Sequence, residues 1–535
     1  MKQEVAELRK LILSGVQQEE QGRRLLPQGW SKSISGDTVT TAYTDEATKV
    51  LIAASKATQA DVGIAMDSIW LILCGALVFF IHAGLAMYQA GSIRVKNTEN
   101  VMTLVFLNIC IGGLVWYIFG YAFAFGGPFK TDKFGEPELD NGAFGGSKGF
   151  AGSGFLKEDS DGNMVGYKLD AKGYPTQALM LQWFYKWGVC SLVGAIVSGG
   201  VSGRITLYSY AIYSLLMSFF IWPLIAAWTW GHGWMEKIGD VGYTDFAGSA
   251  IVHIPAGVGA LAGAVILGPR DGRFDETRGR EMYPHSMPLV VFGAFVIWFG
   301  WYGLTCGHTL ALHTSLQAAL AAQVATNVTI AASVSGVMIF GLRYARTKIY
   351  DTKGMCHGIV AGLVTISAGC ANVENGSALV IAMIGAAVYE GCSWLLVFTK
   401  VDDPVDASAV HGACGMWGVL AAALFDWGKG FDHYNGRMGF HCMVTASKKT
   451  LTDPGCTDGI GGKAFGVNIA VMIVIVIWAG LLSGLIFWIC DKAKILRVSE
   501  FVERNGNDKM LHYPARAYDL GRGKEAPAVV PPPII

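Results

Sequence analysis

Along this chain, apolar runs alternate with short polar breaks rich in glycine, proline and charge, and the runs are long enough to predict bilayer-crossing helices, each of which needs about 20 apolar residues. Eleven runs are read, near 67–91, 99–125, 177–201, 205–230, 245–268, 286–307, 314–342, 354–371, 376–399, 405–427 and 464–490. Basic residues fall in alternate connections: Arg94 and Lys96, then Arg204, then Arg270, Arg273, Arg278 and Arg280, then Arg343, Arg346 and Lys348, then Lys400, and last Lys492, Lys494 and Arg497. Short basic connections stay on the cytoplasmic side. The amino terminus is therefore expected outside and the carboxyl terminus inside.

Two of these runs carry a histidine in matching surroundings. The fifth opens with Asp245-Phe-Ala-Gly-Ser-Ala-Ile-Val-His253, and the tenth holds the near copy Ser408-Ala-Val-His411. Each has an acid upstream (Asp245, Asp406) and a glycine four residues downstream (Gly257, Gly415). An imidazole at membrane depth is costly and is expected to face the bundle interior with a partner. Each histidine is the natural partner of the other. Five spans separate the copies, so they run in opposite directions and predict two inverted five-helix repeats that meet near the bilayer midplane. The eleventh helix is then an added brace. Glycines in the fifth and sixth runs, among them Gly257, Gly259, Gly293 and Gly300, are expected to let backbones approach closely.

Composition agrees with a polytopic membrane protein. Of 535 residues, 52% are hydrophobic and 15% charged, where soluble proteins carry about 25% charged residues. Basic and acidic residues balance at 41 each, so no basic surface points to nucleic acid. No Walker motif, nucleophile elbow or dinucleotide fingerprint is present, so neither an enzyme nor a cofactor is expected. Most of the eleven cysteines lie in apolar runs as packing residues. Cys442 and Cys456 share a polar loop, where a disulfide stays open if that loop is extracellular. His433 and His441 in the same loop fit no zinc spacing, and no metal site is expected. Residues 1–64 read as a polar appendage without a signal-peptide pattern, 65–491 as the membrane domain and 492–535 as a tail.

Five separated motifs carry a resemblance: Asp245 to His253, Gly268-Pro-Arg-Asp-Gly-Arg-Phe274, Trp298-Phe-Gly-Trp-Tyr-Gly303, Asp402-Asp-Pro-Val-Asp-Ala-Ser-Ala-Val-His-Gly-Ala-Cys-Gly415 and Leu496-Arg-Val-Ser-Glu500. From about residue 65 to Tyr518 the chain resembles the ammonium transporter family, Amt/Mep/Rh, and within it the plant-type Amt branch. The resemblance implies an all-α fold of eleven transmembrane helices, a homotrimer in the plasma membrane with one pore per protomer, and ammonium or ammonia as substrate. It implies that His253 and His411 line a narrow hydrophobic conduit, with Trp301 and Asp406 supporting it. Trp230 matches the outer-vestibule tryptophan whose ring attracts a cation, although an interfacial tryptophan reads the same way. Asp245 lies near that outer site either as a ligand or as a helix cap.

The departures from the family pattern are as informative. Val189 and Leu304 stand at the two gate positions where the family carries aromatic rings, and His308 stands in place of a vestibule hydroxyl. A protonated His308 at the pore mouth would repel cations as external pH falls through roughly 6 to 7, the ordinary titration range of histidine. Lys186, one turn before Val189, adds to that repulsion or snorkels to the interface. Two functions stay open: an ammonium transporter or channel, and an ammonium sensor or weakly conducting relative. In the tail, Ser499, Gly506 and Asp508 match a regulatory segment that packs under a neighbouring protomer, with Ser499 as a phosphate acceptor and a cytoplasmic regulatory protein as a partner.

Overall fold

The computed structural model describes residues 46–518 apart from 128, 132–136, 140–143, 154, 156, 159–163, 166, 170–174, 237, 239–242 and 427–459. Cys442, Cys456, His433 and His441 lie outside the described residues. Residues 1–59 form a unit of their own, described from Glu46 onward as helix.

Each apolar run of the second unit forms a helix. They are α1 (Val62–Ser92), α2 (Val95–Phe125), α3 (Leu179–Val201), α4 (Leu207–Trp228), α5 (Ser249–Leu267), α6 (Met287–Thr309) and α7 (Ser315–Thr347). They continue with α8 (Thr352–Ser367), α9 (Asn375–Phe398), α10 (Ser408–Leu424) and α11 (Ile460–Lys492). Among the described residues nine of these are long and apolar enough to cross a bilayer by themselves, while α8 and α10 are shorter. Between α2 and α3, where glycines and polar residues interrupt the apolar pattern, the described residues form six short strands of two to four residues that pair antiparallel. Beyond α11 come two short tail helices, α12 (Glu500–Asn505) and α13 (Asn507–Leu511).

Helix starts follow local chemistry. Thr314 and Gln317 form a reciprocal capping box at α7, and Asp351 accepts the Gly354 N–H at the start of α8. Pro288 sits in the first turn of α6, where its missing N–H costs nothing. Both histidine motifs begin their helices with a π turn, Ser249–His253 and Ser408–Ala413. Such turns widen the helix by one residue and re-aim side chains, often at functional sites.

Burial divides the helices into central and peripheral ones. In its apolar window α3 buries 89% and α11 only 22%, so α3 belongs to the interior and α11 to the rim. Exposed apolar side chains such as Phe292, Phe295 and Phe299 on α6 and Leu481 and Trp488 on α11 are the faces a bilayer would cover. The start of α10 packs against α5, which also lies along α3 and α11. That crossing depends on absent side chains: a Cβ on Gly257 would fall 2.0 Å from the Gly412 backbone nitrogen, and one on Gly415 would fall 2.5 Å from the Ser249 carbonyl oxygen.

Candidate pore site

The close crossing of α5 and α10 brings the two histidine motifs together. His253 and His411 are both buried, and their Nδ1 atoms lie 3.3 Å apart with ring centroids at 5.2 Å. An Nδ1-to-Nδ1 contact needs a proton on one ring and a lone pair on the other, so the neutral pair holds two different tautomers. His253 also stacks on Trp301 at 5.0 Å and 12°, and the Trp301 indole N–H donates to Ser367 Oγ at 3.2 Å, which fixes the ring. Among the described residues the buried Nε2 atom of His253 has no hydrogen-bond partner. Against His411, beside Leu85, Ile297 and Val360, lies an apolar cavity of 20 Å³, room for about one water.

Asp245 organises the first π turn. Its Oδ1 accepts the Gly248 and Ser249 N–H groups at 2.7 and 3.0 Å, and its Oδ2 accepts those of Ala250 and Ile251 at 2.8 and 3.0 Å and the Tyr243 hydroxyl at 2.9 Å. A carboxylate offers about four lone-pair positions. All are taken by its own chain, so the cap fits the geometry and direct ligation of a cation does not.

The expected counterpart of Asp245, Asp406, plays a different part. Asp403, not Asp406, accepts the Ser408 N–H and hydroxyl, both at 2.7 Å, at the start of the second π turn. Asp403 precedes His411 by eight residues, as Asp245 precedes His253. Asp406 instead adopts left-handed backbone (φ 53°), which aspartate tolerates, and its carboxylate accepts the Tyr389 and Ser393 hydroxyls at 3.0 and 2.9 Å with His357 Nδ1 at 3.4 Å. It ties α8, α9 and the segment before α10 together.

Beside Asp245, just before the start of α5, stand the predicted outer-site residues. The Trp230 indole N–H donates to the Asp245 carbonyl at 3.0 Å, and the Trp230 and His308 ring centroids are 4.4 Å apart. His308 is only 4% exposed, and its Nδ1 lies 2.8 Å from the Tyr185 hydroxyl and 2.6 Å from the Leu304 carbonyl. The imidazole is thus walled in by Tyr185, Trp230 and Phe246 instead of standing free at the pore mouth as expected. Val189 and Leu304, expected at the two gate positions, are completely buried aliphatic side chains. Lys186 does not snorkel: it is 3% exposed, and its Nζ sits 4.1 Å from the Trp230 ring centroid.

At the opposite end of the bundle the tail is clamped to its own chain. Asp508 accepts the Glu99 and Asn100 N–H groups at 3.0 and 2.9 Å, capping the first turn of α2. Gly506 has φ 103°, and a Cβ there would meet Lys96 at 2.6 Å. Ser499 is exposed and caps α12 through the Val502 N–H. Nearby, Asp402 accepts two bonds from the Arg270 guanidinium at 2.7 and 2.8 Å and one from its backbone N–H at 2.9 Å, while Arg204 donates to the Asp402 carbonyl at 2.6 Å.

Sequence reasoning missed two residues, Asp403 and Tyr185, and the inward position of the Lys186 head group. For Asp403 the equal spacing to the two histidines is the available signal. Tyr185 and Lys186 sit one turn before Val189 on the same helix, a hint of place but not of which ring the amine meets.

Comparison with known proteins completes the assignment. A family model described as Ammonium Transporter Family matches residues 69–518. Ammonium transporter 3 of Dictyostelium discoideum is 30% identical over 451 residues, covering 84% of this chain and 93% of that protein. Ammonium transporter 1 member 1 of Arabidopsis thaliana is 32% identical over 444 residues, 80% of each chain. The solved structure of a protein named Sensor Amt Protein is similar at a TM-score of 0.67 and 24% identity, covering 84% of this chain and 98% of that one. Because the family match spans residues 69–518, from the first membrane helix into the clamped tail, the chain belongs to the Ammonium Transporter Family and is a membrane transporter rather than an enzyme.

Proposed function

We propose that this transporter moves ammonium as a homotrimer in the plasma membrane, one pore per protomer, with the amino terminus outside and the tail in the cytoplasm. One observation carries the pore assignment: two imidazoles in Nδ1-to-Nδ1 contact at 3.3 Å where α5 and α10 cross inside an apolar bundle. Ammonium is strongly hydrated, and stripping its water in an apolar constriction costs several kcal/mol. A neutral imidazole accepts or relays the proton while uncharged ammonia crosses the apolar stretch. The two rings are coupled and titrate as one unit. The basic connections support the orientation, and the family resemblance implies the trimer, the membrane and a regulatory partner at the tail.

Ammonium-evoked current and uptake by the purified full chain in liposomes test this reading. Uptake by the wild type, with loss of current in His253→Ala and His411→Ala, is the expected result. Wild-type rates in both variants would remove the histidines from the path. Lys186 over Trp230 favours a second reading, a weakly conducting ammonium sensor, for which the same liposomes would show ammonium binding without uptake.

A further inference from the structure

The side chain that fills the outer aromatic site belongs to the protein itself. Lys186 Nζ lies 4.1 Å from the centroid of Trp230, 5.6 Å from that of Tyr185 and 5.9 Å from that of Phe125, each within the reach of about 6 Å at which a ring face attracts a cation. Three aromatic groups around one ammonium head make a cage of the kind that recognises small organic cations. The cage is held from outside: Trp230 by its bond to the Asp245 carbonyl, and Tyr185 by its bond to the Leu304 carbonyl at 2.6 Å. Among the described residues Lys186 forms no ion pair, and its amine faces these three rings. A lysine about two turns into a membrane helix ordinarily extends its amine to the interface. Here the amine turns inward and is buried.

We propose that Lys186 is a tethered occupant of the outer cation site, and that free ammonium reaches the pore only by displacing its head group from the Trp230–Tyr185–Phe125 cage. An alkylammonium and ammonium present the same chemistry to a ring face, a compact hydrated charge with N–H donors. They compete for one place. A site that is vacant a tenth of the time binds its ligand ten times more weakly than the same site held open. The lysine therefore sets the ammonium concentration at which the protein responds, whether it conducts or senses. This rests on the ammonium transport proposed above, with Trp230 taken as the outer cation site that the family resemblance implies, and deepens it.

Two measurements on the purified full chain separate this idea from the transport reading. Ammonium chloride, matched against equal sodium chloride, is titrated while the melting temperature is followed, since a ligand that binds only the folded state raises it. Lys186→Met, which keeps length and removes charge, should show its rise at ammonium concentrations tenfold or more below those needed by the wild type. Lys186→Arg should behave as the wild type, and the double variant Lys186→Met/Trp230→Leu should lose the gain. In liposomes, Lys186→Met should lower the half-saturating ammonium concentration by a similar factor. Uptake absent from every variant, with the melting shift still present, would remove the transport reading and keep the tethered occupant. Equal ammonium dependence in wild type and Lys186→Met, or no melting shift in either, overturns the proposal. Should Lys186→Met fail to fold, Lys186→Gln carries the same comparison.

Discussion

A methyl group on Gly257 would come within 2.0 Å of the backbone nitrogen of Gly412, so the crossing that joins the two histidine motifs is a contact of backbone on backbone. Backbone cannot rotate away as a side chain can. Gly257→Ala should therefore force α5 and α10 apart and cost about 1–3 kcal/mol or more, as overpacking does. Gly484→Ala on α11, where a Cβ would meet nothing within 4 Å, should stay within about 0.5 kcal/mol of the wild type. Thermal unfolding of the two variants in detergent checks the contrast. Equal melting temperatures would mean that the crossing tolerates separation.

Asp245 is expected to be a structural acceptor before it is anything else. Removing its carboxylate leaves four buried N–H groups, those of Gly248, Ser249, Ala250 and Ile251, without an acceptor. Each unsatisfied group costs roughly 1–3 kcal/mol. Asp245→Ala should thus melt far below the wild type, with Asp245→Asn between them because one acceptor oxygen remains. An Asp245→Asn protein that melts normally but no longer binds ammonium would instead make the carboxylate a ligand.

The Asp402–Arg270 pair yields a pH prediction. Burial by itself raises the Asp402 carboxyl, but the Arg270 charge and its hydrogen bonds, with Arg204 behind them, outweigh burial and hold it well below the usual carboxylate range. A carboxylate depressed in the folded state contributes stability that is complete above its unfolded value, about 3.9, and lost as pH falls through the folded one. Breaking a buried pair costs about 3–5 kcal/mol. Asp402→Asn should be destabilised by that amount equally at pH 8 and pH 5, and the gap to wild type should narrow only in more acid solution. A gap that closes between pH 8 and 5 would contradict the assignment.

At the tail, Asp508→Ala removes the cap on the first turn of α2, which is worth about 0.5–2 kcal/mol. Cleavage of a segment that opens and closes quickly follows the population of its open form. Trypsin should then cut at Arg504 and Lys509 roughly 2 to 30 times faster than in the wild type. Ammonium uptake should fall with it if the clamped tail supports the pore. Unchanged cleavage would mean that Arg497 and Glu503, which bind the loop after α5, hold the tail without Asp508.

The sequence by itself determined the helices and the partnership of the histidines. Membrane segments are legible because each must satisfy its own backbone and bury about 20 apolar residues, a constraint local to the run. The copy of Ser249-Ala-Ile-Val-His253 at Ser408-Ala-Val-His411 was legible for the same reason, as a pattern repeated in the chain. Directions of side chains were not. Whether Asp403 or Asp406 caps the second π turn depends on the left-handed backbone at Asp406, which turns its carboxylate toward Tyr389 and Ser393. Whether Lys186 reaches the interface or the Trp230 ring depends on how Phe125 of α2 and Trp230, after α4, are placed around it. Only tertiary packing decides these, because a long or charged side chain goes where neighbours remote in sequence leave room and stabilise its charge.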